Sequence, residues 1–492
     1  MTSGLPKCVS LMSGYYGALF LYLGPESAKR ADGILTFGQL GYDEPLTSST
    51  HTRFYLDPSK HKDDELWHVR CAYNNKYLMP IAQASSGLLL VGTADEPEEN
   101  LYKSTCTLFK LTIRSSYEEP KAKITVYHVR FTHPRLGKEV GILSSYFDPT
   151  TSKVTECVNS EHTLFNVEEQ IFLPQYVDFK GDNGLYLCGR KFDGGLYFQF
   201  ASSDVGDPSI VFTSCNYAQG FMRIKSKEYD MFLRQSSSWI VSVKPEDNDN
   251  GIHQTDYLFK VLKFGDQFAL QSIDNGNFCF RSIDDCMNAG SKSFTKKARL
   301  DIEEPVITRE IYNIEYHKND NHRFYDTSNM NMVTASAINR TNKENTVKSS
   351  LTVTRIESSR WESTAIHKAS VKASISYSII PKILDSKLEV GYEFTKGSTW
   401  GTTEQNEKKQ EVEYQVTVPA NRKVTLSVIA TQAKYDIPFS YTQKDKLANG
   451  QLRIQNLDDG LFSGMNSFDL RYETKEEDID PIPSSPLVIN LL

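Results

Sequence analysis

The chain has 492 residues, 39% hydrophobic and 11% aromatic, enough for more than one buried core; at roughly 100–200 residues per domain it should hold about three. Glycine and proline are ordinary in number (28 and 19), which excludes collagen-like and low-complexity chains. Sixty-two acidic against 55 basic residues give a net charge of −7, which excludes a bulk electrostatic nucleic-acid binder, and no apolar run approaches the about 18 residues of a membrane-spanning helix.

The first segment, Cys8 to Pro25, is uncharged and follows Lys7. Gly, Ser and Tyr interrupt it and no small-x-small site follows, so it is expected as a buried first strand rather than a leader. The eight cysteines (Cys8, Cys71, Cys106, Cys157, Cys188, Cys215, Cys279 and Cys286) are scattered and form no CxxC pair. No zinc site is expected from them. Buried thiols in a reducing compartment are expected instead, hence a cytoplasmic or nuclear location in the producing cell.

Repeats set the next boundaries. Leu5-Pro6-Lys7-Cys8-Val9 returns as Leu173-Pro174-Gln175-Tyr176-Val177, and Leu108-Phe109-Lys110 returns as Leu258-Phe259-Lys260. Two related modules of about 150 residues are therefore expected, 1–165 and 166–304. In the second, the anchors Tyr186, Phe232 and Phe278 recur every 46 residues. Each follows an apolar–x–apolar strand: Val177-Asp178-Phe179, Met222-Arg223-Ile224 and Phe268-Ala269-Leu270. Turn chemistry such as Asp182-Asn183-Gly184 separates the runs. Three hairpin units per module predict a β-trefoil. A short helix is the expectation for Asn166–Gln170.

After Pro305 the chain becomes rich in Ser and Thr, with long alternating stretches at Thr346–Ile356, Ser370–Phe394, Glu411–Val418 and Arg422–Ile429. They exceed the usual strand of about 5–6 residues. A third, elongated all-β domain over 305–492 is expected, closing in an extended acidic tail, Lys475–Leu492. The whole chain is thus predicted to be all-β: two tandem β-trefoils, then an elongated β domain.

No HExxH, GxSxG, GxxxxGK or GxGxxG is present, and the ten histidines form no ligand-spaced pair. The chain is expected not to be an enzyme and to need no metal or cofactor. Glu98-Glu99 and Glu303-Glu304 are expected in solvated loops.

Two features carry chemistry. In Ser370–Ile379 and Asp385–Phe394, two arms of ten residues each, apolar and polar positions alternate. A tilted membrane strand needs about 9–11, and a barrel wall has one apolar and one polar face. The joining Ile380-Pro381-Lys382-Ile383-Leu384 is apolar where hairpin turns are ordinarily polar. Candidate insertion residues are Val371, Ile375, Tyr377, Ile379, Ile380, Pro381, Ile383, Leu384, Leu388, Val390 and Tyr392. A single hairpin in lipid leaves open edges, so several subunits would have to build the barrel. The trefoils suggest sugar binding by stacked aromatic faces and amides. Candidates are Asn74, Asn75, His133 and Trp239.

Positions 1–300 resemble the amaranthin-like agglutinins, on Tyr73-Asn74-Asn75-Lys76-Tyr77-Leu78, Ala94–Asn100, Cys106-Thr107-Leu108-Phe109-Lys110, Phe179–Gly184 and Cys286-Met287-Asn288-Ala289. The stretch equivalent to that family's aromatic-rich sugar segment is here Gln83–Leu89, without an aromatic, which adds Ser85 and Ser86 to the candidates. The region after Pro305 resembles aerolysin-type pore-forming modules, on the hairpin, Val416–Asn421 and Asp436-Ile437-Pro438-Phe439. The resemblances imply binding of Gal/GalNAc-type glycans at a homo-dimer site, higher homo-oligomers on a membrane, and a role in plant defence. The expected function is a glycan-directed pore former acting on target-cell membranes. The alternative is a lectin without pore activity, whose third domain serves oligomerisation.

Overall fold

The computed structural model describes residues 5–13, 20–22, 35–38, 50–60, 66–83, 87–119, 124–148, 153–159, 161–166, 171, 173–192, 194–216, 221–244, 255–317, 322–363, 373–375, 378–384, 387–395 and 398–479. The fold is all-β. Among the described residues there is no α-helix, only 3-10 turns, and no helix long and apolar enough to cross a membrane.

In the second module six antiparallel strands close on themselves: Tyr176–Gly181, Phe212–Asn216, Phe221–Ser226, Phe259–Phe264, Gln267–Ser272 and Leu300–Glu303. Three hairpins cap the ring, Tyr186–Phe192 with Gly195–Ser202, Met231–Ser236 with Trp239–Val243, and Phe278–Arg281 with Met287–Ser291. This is the β-trefoil that the 46-residue period predicts. The three anchors take equivalent half-lined niches, Tyr186, Phe232 and Phe278 being 7%, 8% and 7% exposed. Val177, Phe179, Met222, Ile224 and Leu270 fill the core beneath them. Closure leaves the ring no free strand edge.

The first module repeats the plan with Cys8–Ser13, Arg53–Pro58, Leu66–Cys71, Leu108–Glu119, Ile124–Thr132 and Glu161–Asn166. Its caps include Tyr77–Gln83 with Gly87–Ala94 and Val140–Asp148 with Lys153–Asn159. Val9, Leu11, Phe54, Phe109 and Phe131 build the core. The described cysteines form no disulfide, and burial pushes the Cys71 and Cys279 thiols up to about 12. The helix expected at Asn166–Gln170 falls on Asn166, which ends a strand, and on residues outside those described.

The paired glutamates are as expected only in part: Glu98 and Glu99 lie in a loop and Glu303 is exposed, but Glu99 and Glu304 are held by specific partners. Burial disfavours the Glu99 carboxylate, yet hydrogen bonds from His68, the Lys60 N–H and Ser59 outweigh it and hold its pKa down at about 2. Glu304 is buried against Arg309, whose Nε also donates to Asp445 at 2.8 Å.

The third sheet has seven strands. Its order runs Ala373–Ile375, Val306–Tyr316, Arg422–Leu447, Leu452–Asp478, Asn345–Ser363, Glu404–Val418, with Arg323–Asn339 pairing further along Arg422–Leu447. The two longest strands have 26 and 27 residues. One core gathers Ile311, Trp361, Tyr435, Ile437, Phe439 and Phe462, and another, at the far end, Leu351, Val353, Leu426 and Val428. The acidic run expected in a loose tail is partly strand. Glu477 and Asp478 close the Leu452–Asp478 strand, where Lys423 and Arg422 meet them at 3.2 and 2.8 Å. Opposite charges across paired strands account for the order. Residues 480–492 lie outside those described.

Asp178, 2% exposed, sits opposite Glu303 in the second module's ring. Burial first, then the Glu303 charge, raises its pKa to about 8. An unfolded Asp titrates near 4, so between about pH 4 and pH 8 the folded chain holds the extra proton and loses stability as pH rises. Asp178→Asn should flatten this slope and leave the second module more stable than the parent at pH 8. Denaturant midpoints of both chains across pH 4–9 check it, and identical slopes would refute it.

Candidate functional site

The hairpin is formed, but its register differs from the one expected. The Ser370–Ile379 arm is divided. Ala373–Ile375 runs parallel to Val306–Tyr316, Ile375 opposite Ile311, and the buried Ile375 donates its N–H to the Ser398 carbonyl at 3.0 Å. Ser378–Leu384 then pairs with Lys387–Thr395, and Leu384 lies opposite Lys387. Only residues 385 and 386, Asp and Ser in the sequence, separate the arms. Ile380–Leu384 is therefore strand and not the apolar tip expected. The register shifts between Ile379 and Pro381. A proline without its N–H is tolerated at such an irregularity, so the strand continues through it.

The new register still matches like with like. Ile379 faces Phe394, Pro381 faces Val390 and Ile383 faces Leu388, while Lys382 faces Glu389. Ile380, Leu384 and Tyr392 lie on these same two strands. Val371 and Tyr377 lie outside the described residues.

Among the described residues the hairpin pairs only with itself. It is held against the long sheet by side chains. Ile380 packs on the Trp361–Tyr435–Phe462 core. Pro381 is buried, and its carbonyl accepts a hydrogen bond from Tyr435 Oη at 2.7 Å. Burial, and behind it the Glu357 charge, pushes the Tyr435 hydroxyl far above its ordinary pKa, so it stays a donor. Lys382 Nζ reaches Glu357 Oε2 at 2.9 Å, and Lys408 meets the same oxygen at 3.3 Å. The Tyr435 ring lies over Gly464, its cross-strand partner, where any Cβ would collide with it.

The carbohydrate candidates divide. Trp239 is 41% exposed on the second module's cap, with Tyr197 edge-on to it at 6.0 Å and 71°. Trp239 pairs with Asn288, and Tyr197 with Val241, which places all three residues on one face of the cap, with Trp239 exposed. Asn288 is 6% exposed and its Oδ1 has no hydrogen-bond partner. Sequence reasoning missed Tyr197 and Asn288. The signal was the 46-residue repeat itself, carried one strand past each anchor, because the second strands of the three hairpins meet in the cap.

Asn74, Asn75 and His133 are engaged internally. Asn74 is buried and accepts the Lys76 N–H at 3.1 Å. Asn75 takes a left-handed φ of 59°, accepts from Arg70 at 2.7 Å and donates to Asp436 of the long sheet at 3.1 Å. His133 is buried, and its Nδ1 faces the Arg135 and Leu136 N–H groups of its own turn. Burial, then Arg135, lowers its pKa and favours the neutral acceptor form. Ser85 and Ser86 lie outside the described residues.

No family model and no curated protein matches the chain. Solved structures similar to it include a lamprey immune protein at 15% identity, covering 63% of this chain and 93% of that one at a TM-score of 0.28. The parasporin-2 Bacillus thuringiensis toxin that recognizes cancer cells is 18% identical, covering 34% and 74%, at 0.21. A Polyporus squamosus lectin bound to a sialylated epitope is 8% identical, covering 29% and 52%, at 0.24. The β-trefoil assignment rests on the two closed rings, not on these likenesses.

Glu357→Gln removes the charge that faces Lys382. A partly exposed ion pair of this kind is worth about 1 kcal/mol, so trypsin should cut after Lys382 and Lys387 roughly fivefold faster, with the trefoils' unfolding unchanged. Equal cleavage rates would show that the ion pair does not hold the hairpin.

Proposed function

We propose that the chain is a carbohydrate-binding agglutinin that assembles on glycosylated membranes and forms a pore with the 378–395 hairpin. The observation that carries this reading is the hairpin's pairing. It shares no backbone ladder with the long sheet among the described residues, so it can leave without breaking that sheet's hydrogen bonds.

Lys387–Thr395 has nine residues, within reach of the about 9–11 that a tilted strand needs. Its alternation supplies one face for lipid and one for water, with Lys387, Glu389 and Glu393 on the lumen side in the inserted state and Lys372 joining them from the other arm. Release of Ala373–Ile375 from its short parallel pairing would lengthen the other arm. One hairpin leaves two open edges, so insertion requires a ring of subunits.

The glycan contact falls on the cap of the second module. Trp239 offers a face to a pyranose ring and Tyr197 stands edge-on beside it. Gal/GalNAc-type glycans are the class we assign. One such cap on each of several subunits multiplies weak contacts into useful avidity. The activity is binding and assembly, with no catalytic step or cofactor. The protein would be kept in the cytoplasm or nucleus of the producing plant cell and act in defence on foreign membranes.

Dye release from vesicles bearing or lacking Gal/GalNAc glycoconjugates tests it. Release that depends on the glycan, and that is lost when 378–395 is replaced by a short Gly-Ser turn, is expected. Sugar binding without release would leave a lectin whose third region serves assembly. Trp239→Ala should weaken retention on an immobilised GalNAc resin roughly tenfold, the loss of about 1–2 kcal/mol; unchanged retention would move the glycan site elsewhere.

A further inference from the structure

Two neighbouring residues of the Arg422–Leu447 strand face in opposite directions, as strand residues must. Tyr435 faces the hairpin, with Ile437 and Phe439 beside it in the same core. Asp436 faces the first module. It is 1% exposed, and four groups surround its carboxylate: Asn75 Nδ2 at 3.1 Å, Ser463 Oγ at 2.7 Å, Tyr325 Oη at 3.4 Å and Arg323 Nη1 at 3.6 Å. Asn75 comes from the first module, and Arg323 is gripped by it. The guanidinium lies over the Tyr77 ring at 5.3 Å and donates to the Asp95 carbonyl at 2.6 Å. Close by, the Asp326 N–H donates to Glu96.

We propose that the first module braces the hairpin in its docked state, with Asp436 as the positioning residue through which the brace acts. The proposal rests on the pore-forming reading and adds its regulation. A buried carboxylate is tolerated only while its donors stay in place. When the 74–77 loop leaves, Asp436 keeps Ser463 and Tyr325 but loses its Asn75 donor, and Arg323, its cross-strand partner, loses the Asp95 carbonyl and the Tyr77 ring that fix it in place. The strand then shifts as the uncovered carboxylate and the freed Arg323 take up water and re-pair. That shift moves Tyr435, whose hydroxyl and ring hold Pro381 and Ile380. Docking of the first module and docking of the hairpin are thus coupled, and the coupling is reciprocal: release of either loosens the other. Pulling on the first module, as attachment to a surface would, favours the released hairpin.

Hydrogen exchange of the full-length chain, without any membrane, reads the brace separately from the pore. The amides of 378–395 should exchange roughly tenfold faster in Asn75→Ala and in Glu96→Ala, both first-module changes that touch no hairpin atom. Arg323→Ala should do the same more strongly. Gln175→Ala, which removes the second module's hydrogen bonds to Arg453 and Gln455, should leave hairpin exchange at the parental rate. Parental hairpin exchange in both first-module variants, with the 74–77 amides themselves opened, would overturn the brace. Equal acceleration by Gln175→Ala would overturn it too, by showing a general loosening. Loss of dye release in the hairpin-replaced chain bears on the pore and not on this coupling, so the two readings fail separately.

Discussion

An unpaired strand edge is the constraint around which this molecule is organised. Every exposed edge offers backbone donors and acceptors to any other strand. The first two modules remove the problem by closure, since six strands return to the first and three hairpins seal one end. The third region cannot close. Its long strands lie side by side in an open sheet, and among the described residues a separate hairpin rests on it without a backbone ladder, through side-chain packing and the Tyr435–Pro381 hydrogen bond. The trefoils are thus fixed bodies, and the third region contains an element whose edges are satisfied only provisionally.

The holding contacts are modest. Burying one aliphatic side chain fully stabilises by about 1.5–3 kcal/mol, and Ile380 is only partly buried. The Tyr435–Pro381 hydrogen bond adds about 1 kcal/mol, and the Lys382–Glu357 pair, still partly exposed, about as much. Against this, the trefoil cores gather more than a dozen fully buried apolar side chains each. The hairpin therefore undocks long before the trefoils unfold, and a change of a few kcal/mol elsewhere is enough to shift its population.

Much of this was legible in the residues. The 46-residue spacing of Tyr186, Phe232 and Phe278 reports a threefold arrangement because each anchor packs into the same niche, and the core strands before them alternate as buried strands must. The hairpin was legible as an element but not in register. Alternation marks which residues share a face; it does not mark where a chain turns when a proline sits at a strand irregularity. Ile375 likewise continues the alternation, yet it pairs with a different strand, and nothing local distinguishes the two partners. Asn75 and His133 illustrate the other limit. Asn in a left-handed turn and His in a tight loop look alike whether they serve a ligand or the fold, and only the positions of Asp436 and of the 133–138 turn decide it.

The contacts between the parts also differ in kind from those within them. Cores are aromatic and aliphatic, whereas the joints are polar and charged: Asn75 with Asp436 and Arg323 with the Asp95 carbonyl at the first module, and Arg309 between Glu304 and Asp445 where the second module meets the long sheet. Apolar joints would resemble a domain core and would separate only with unfolding. A joint of hydrogen-bonded charges is directional: it holds one orientation well, and its groups regain hydration when they part. Separation is therefore costly to begin and not costly to complete. That is the behaviour of parts that hold one arrangement in solution and give it up as a unit. It places Asp436, rather than any apolar contact, at the point where such a change would start.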